Sequence, residues 1–122
     1  MRRRASKRPT SFAAIALGGL GRIPEGIGLA LDAAASDEDG CVRVDVAFAR
    51  WKLGRAGNGE AEGALLRELD GPAAEAREKA AFRLGAFTPL SSEGTAALLR
   101  ATTDANDNVR SGARHALWRR AR

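Results

Sequence analysis

The chain holds one histidine, His115, and one cysteine, Cys41, in 122 residues, and this limits the chemistry open to it. A zinc site takes three or four protein ligands, drawn mainly from Cys and His. No such set can form within one chain, so neither a metal nor a cofactor is expected. A single thiol also excludes an intrachain disulfide, and Cys41 reads as a small buried apolar residue. His115 lies between Arg114 and Ala116 and reads as a surface residue. Acid pairs such as Asp37/Asp39 fall in a turn, where water solvates them. The glycine-rich stretch Gly54–Gly59, with Arg55, precedes a helix but lacks the Gly-Lys-Ser/Thr ending of a phosphate loop. It reads as a flexible connection. The chain is therefore expected not to be an enzyme.

Charge is the chemistry that remains. Lys and Arg number 20 against 15 acids, for a net charge of +5. Five of the bases are Arg2, Arg3, Arg4, Lys7 and Arg8, and four are Arg114, Arg119, Arg120 and Arg122. Without these nine the body carries 11 bases and 15 acids. A short basic run is sticky to any polyanion, so residues 1–10 are expected to form a disordered basic arm. Behind it, the apolar run Phe12–Leu20 has the outline of a secretion signal. Gly18-Gly19 interrupts the run, and no small-residue cleavage site follows. No stretch approaches the ~20 apolar residues of a membrane span, so a cytoplasmic location is expected. Arg outnumbers Lys 17 to 3, the bias of a GC-rich, bacterial coding sequence.

The elements that must position these charges are repeated. Ala, three residues, Leu and then usually Gly recur as Ala16–Leu20–Gly21, Ala49–Leu53–Gly54, Ala80–Leu84–Gly85 and Ala113–Leu117, at spacings of 33, 31 and 33. Ala and Leu at i and i+4 share a helical face. Gly just beyond the Leu suits the left-handed position that ends a helix. Between these copies come Glu25-Gly26, Glu62-Gly63 and Glu93-Gly94, each followed by a short apolar segment and an acidic turn. Val42-Arg43, Ala76-Arg77 and Val109-Arg110 follow those turns. The unit reads as helix A, acidic turn, helix B. The expected helices are B1 11–21, A2 24–36, B2 41–54, A3 60–70, B3 73–86, A4 91–104 and B4 107–121. No segment alternates like a strand. A period near 33 marks a stacked-repeat protein.

The pattern resembles the HEAT-repeat family, especially its short-repeat, phycobilisome-lyase-like branch. The likeness is nearest at Asp107–Val109-Arg110–Ala113–Leu117 and Ala76-Arg77–Ala80–Leu84-Gly85. In the second B helix Val42-Arg43 lies seven residues before Ala49 rather than four, which implies extra length or a shifted start. The resemblance implies an all-α fold, a right-handed α-solenoid of about three and a half helix–turn–helix HEAT-like repeats over residues 11–122. Other solenoids fit less well. Thr88-Pro89-Leu90-Ser91 echoes an ankyrin motif once only, and the absence of Tyr argues against tetratricopeptide repeats.

Charge then separates by helix type. Helices A2, A3 and A4 carry two bases and eight acids, and helices B2, B3 and B4 ten bases and four acids. In HEAT-like solenoids the B helices line the concave face. Aligned on the Ala/Leu motif, Arg50 matches Arg114 and Lys52 matches Arg83, so Arg50, Lys52, Arg83 and Arg114 would form a basic stripe there. Such a stripe suits an acidic partner. Arg43, Arg77 and Arg110 read instead as an internal Asp–Arg ladder. The expected function is a non-catalytic protein–protein interaction scaffold binding an acidic surface or peptide. Nucleic-acid binding through the basic face and arm is the first alternative. An accessory subunit of a bilin-lyase-like enzyme is the second. Helix B1 is apolar through Phe12, Ile15, Leu17 and Leu20, and solenoid ends need a polar cap. Self-association through Phe12, Ile15 and Leu17, as in a homodimer, is expected.

Overall fold

The computed structural model describes residues 25–87 and 89–121. Among these there are six helices and no strand. They are α1 (Glu25–Ala34), α2 (Gly40–Lys52), α3 (Asn58–Leu69), α4 (Ala74–Leu84), α5 (Ser92–Ala101) and α6 (Asp107–Ala121). They fall within a few residues of the expected A and B helices. The B1 helix, with Phe12, Ile15 and Leu17, lies outside the described residues, as does the basic arm.

Side-chain caps fix several of the helix starts. Asp39 accepts from the backbone N–H of Cys41 at 2.8 Å and of Val42 at 3.4 Å. Asn106 does the same for Asn108 at 2.8 Å and Val109 at 3.2 Å. These bonds satisfy donors that a helix leaves unpaired at its first turn. Between these two, Ala73 starts α4 without a side-chain cap. Ser91 caps α5 through Gly94 N–H at 2.9 Å, and the buried carboxylate of Glu62 holds Ser91 by accepting from its N–H at 3.3 Å and from its hydroxyl. Glu62 is thus a packed structural acid. The Glu-Gly likeness to Glu25 and Glu93 does not hold, because those two are exposed.

One contact recurs at all three A–B turns. Arg43, Arg77 and Arg110 each donate to the carbonyl six residues back, on Asp37 at 2.7 Å, Gly71 at 3.0 Å and Asp104 at 2.6 Å. Each B helix also begins three residues before its arginine. In the outer two turns an aspartate accepts from the N–H two residues on, Asp37 from Asp39 at 2.8 Å and Asp104 from Asn106 at 2.9 Å. Gly71 offers no such acceptor, and Pro72 follows it. This register makes Val46, Ala80 and Ala113 equivalent, and all three are fully buried. Ala49–Leu53–Gly54 therefore lies about one turn later in its helix than Ala80–Leu84–Gly85 does. The start of α2 is in register and its extra length lies at its C-terminal end.

The chain divides between Ala61 and Glu62 into two compact units. In the first, α1 packs on α2 around Leu31, Val42, Val46 and Ala49, with Ala34, Ala35 and Leu53 at the margin. In the second, α6 packs along α4 and against α5. Ala76, Ala80, Ala81 and Leu84 of α4 are buried, as are Val109, Ala113 and Ala116 of α6. Alanines allow the two helices to come close. A Cβ on Gly85 would stand 3.0 Å from both Cα and Cβ of Ala116, so this position needs glycine for contact. Gly85 itself has an ordinary right-handed backbone, φ −64°. Among the described residues, Gly54 is the one glycine of the repeated motif in the left-handed region, φ +78°. The same residue in the same motif thus serves two needs, chain reversal at Gly54 and close approach at Gly85. Phe87, just past α4, is fully buried and is the largest such side chain among the described residues.

Candidate partner-binding groove

The four cations expected to form the stripe meet different surroundings. Arg50, in the first unit, is held in an ion-pair cluster. It donates to Asp32 at 3.0 Å and to Glu60 at 3.1 Å. Arg55 joins through two bonds to Asp32, at 3.2 and 2.6 Å, and lies 3.9 Å from Glu25. Arg55 also lies across Gly28, where a Cβ would meet its guanidinium at 2.7 Å. Lys52 is exposed at the end of α2, and Arg114 is exposed on α6. Arg83 is half-buried and lines a groove between α4 and α6. Counted from the turn arginines, Arg50, Lys52, Arg83 and Arg114 stand seven, nine, six and four residues on, at four different repeat positions. The pairings Arg50–Arg114 and Lys52–Arg83 therefore dissolve in this register.

The Asp32 cluster carries a pH dependence with a definite sign. Side-chain hydrogen bonds from Arg55 and then Arg50 hold the Asp32 carboxyl at about 2, below its ordinary 3.8. A depressed carboxyl stabilises the fold above its unfolded value and loses that contribution as protons bind. Asp32→Asn is expected to melt below the wild type near neutral pH. The gap should close as pH falls from 3.8 through about 2. Thermal melts by circular dichroism across that range measure it. A gap independent of pH would mean that Asp32 acts by shape alone.

The groove between α4 and α6 encloses about 470 Å³. Glu78, Lys79, Phe82 and Arg83 line it from α4, and Asn108, Ser111, Gly112 and His115 from α6. These residues come together because α4 and α6 run side by side, so that one stripe of each, spaced by three and four residues, meets at the surface. Phe82 and His115 stack nearly parallel, 9° between planes and 5.6 Å between centroids. Trp118 continues the row at 6.2 Å from His115. Phe82 is 45% exposed and Trp118 57%. These three rings are the feature that charge-based reading passes over.

A sequence signal for them exists. Phe48, Phe82 and His115 each stand five residues after a turn arginine, and Trp51, Gly85 and Trp118 stand eight after. Phe48 and Trp51 also touch, with centroids 5.5 Å apart. The aromatic positions share the repeat period in either register, since Trp51, Phe82 and His115 also stand two residues after Ala49, Ala80 and Ala113 of the Ala/Leu motif.

Among the described residues no helix is long and apolar enough to cross a membrane. No protein-family model matches the chain, and no curated protein sequence matches it.

Proposed function

We propose that the chain is a non-catalytic interaction module, a short right-handed α-solenoid resembling HEAT repeats, that holds an acidic protein segment on its B-helix face. The recurring arginine-to-carbonyl bond at the three A–B turns supports the repeat reading. The observation that carries the binding reading is the α4–α6 groove, open to solvent and lined by Lys79 and Arg83. Arg77 and Arg110 are committed to internal contacts, whereas Arg114 and Arg119 are exposed on the same pair of helices. Glu75 and Glu78 are the only acids on α4, and Asp107, the only one on α6, pairs with Arg110. On α4 and α6 the cations Lys79, Arg83, Arg114 and Arg119 outnumber the acids Glu75 and Glu78, and a surface of net positive charge draws in partners of opposite charge and repels like ones.

Fluorescence anisotropy with a labelled oligoglutamate peptide tests this. Binding that weakens with salt and falls in Arg83→Glu, with helicity unchanged, is the expected result. Deleting residues 1–8 removes the competing basic arm. If that deletion abolishes all binding, the groove is not the acidic site. If an oligothymidylate binds at the groove more tightly than the peptide, the nucleic-acid alternative replaces this reading, because phosphate contacts dominate such affinity.

A further inference from the structure

We infer that the α4–α6 groove recognises one large apolar side chain carried within an acidic peptide segment, the apolar residue seating against Phe82 and His115 and its acidic neighbours facing Arg83 and Lys79. This rests on the acidic-partner reading and adds an anchor to it. Three observations point there. First, Phe82 and Trp118 are large, exposed and joined through His115, so they form a continuous aromatic row on one surface. Energetically dominant interface residues are enriched in Trp and Arg and fill well-packed pockets.

Second, Gly112 sits in the interior of α6 and lines the groove. Glycine is unfavourable at such a position. Helix packing does not require it, since a Cβ there would meet only ordinary contacts, the Glu78 carbonyl at 3.5 Å and the Ala81 Cβ at 3.7 Å. Its effect is to keep the groove open beside Phe82. The contrast with Gly85, where a Cβ would crowd Ala116 at 3.0 Å, separates a glycine kept for packing from one that leaves space. Third, cations outnumber acids around the opening. Lys79 and Arg83 line the groove beside one acid, Glu78, Arg114 precedes Trp118 by four residues, and Arg119 follows His115 by four. Residues four apart share a helical face. A peptide segment is the occupant favoured over a single strand, because single-strand sites join stacking rings to a cationic groove that tracks the phosphate backbone, and Glu78 interrupts the cations here.

Selection of a phage-displayed random-peptide library on the full chain is the test, followed by affinity measurement on variants. Enriched peptides are expected to combine Asp or Glu with a single Phe, Trp, Leu or Met. Their affinity should drop by about tenfold or more in Phe82→Ser, the scale of a dominant interface residue. Gly112→Gln should weaken binding similarly by filling the groove, with its melting temperature measured alongside because the added Cβ faces the α4 backbone. Acidic peptides that lose affinity in Arg83→Glu but not in Phe82→Ser or Gly112→Gln would overturn the anchor and leave the acidic-partner reading standing. Enriched peptides without acids would overturn both, as would a library that yields no enrichment. An oligothymidylate that outcompetes the selected peptides in a Phe82-dependent way would reassign the groove to nucleic acid.

Discussion

Leu84→Ala is expected to cost the second unit ~2–5 kcal/mol, the range for truncating a buried Leu. Leu84 is fully buried at the end of α4, in a core whose other α4 members are Ala76, Ala80 and Ala81. Alanines contribute little apolar area each, so the few large side chains carry a disproportionate share of the transfer free energy at ~25 cal/mol per Å². Neighbouring alanines also cannot swing in to fill a void, which keeps the cavity contribution high. Leu99→Ala supplies the control, because Leu99 is 56% exposed. A surface truncation of this kind falls within about 0.5 kcal/mol. Urea unfolding followed by circular dichroism reads both. Equal midpoints for the two variants would mean that the α4 face is misassigned.

Arg77→Met is expected to cost ~1.5–3 kcal/mol, the range for hydrogen bonds to charged groups. Arg77 reaches Asp104 through Nε at 3.0 Å and Nη2 at 3.2 Å, and donates to the Gly71 carbonyl at 3.0 Å through Nη1. A fork of this geometry is among the stronger ion pairs. The two side chains are 18% and 16% exposed, which removes most but not all of the screening that makes surface pairs weak. The Arg77 bond, with help from the Asn106 N–H, holds the Asp104 carboxyl below its ordinary value. This contribution is present above the ordinary carboxyl range and is lost as pH falls through the lowered value. A double-mutant cycle with Asp104→Asn isolates the pair and is expected to show coupling within the ~0.5–3 kcal/mol range of contacting residues. Strict additivity would show that Arg77 acts only through Gly71.

Acidic turns followed by arginine are visible as text, and of the expected Asp–Arg ladder Arg77 does pair with the aspartate of the next turn, Asp104, whereas Arg110 pairs with Asp107 of its own helix. The six described helices were readable because each runs between turn residues and carries apolar positions three and four apart. The register was harder. Ala49–Leu53–Gly54 imitates Ala80–Leu84–Gly85 because an Ala-rich helix face offers an Ala at nearly every turn. Only the hydrogen bonds from Arg43, Arg77 and Arg110 fix the alignment. Gly85 looked like a helix terminator and is instead a close-approach residue. That distinction depends on Ala116, 31 residues further along the chain. Arg50 carried the right charge for a binding stripe, yet Asp32 and Glu60 engage it. Ion-pair partners 18 and 10 residues away in sequence cannot be read from a helical face alone.

An acidic segment held in the α4–α6 groove would be seen by residue-resolved chemical-shift mapping on the isotope-labelled full chain, with an acidic peptide bearing one central Phe as the titrant. The signals of Phe82, Arg83, Gly112 and His115 are expected to shift together along one saturating curve that added salt weakens. Shifts confined to residues 1–10, or centred on Leu29 or Leu99 with the groove silent, would contradict that placement.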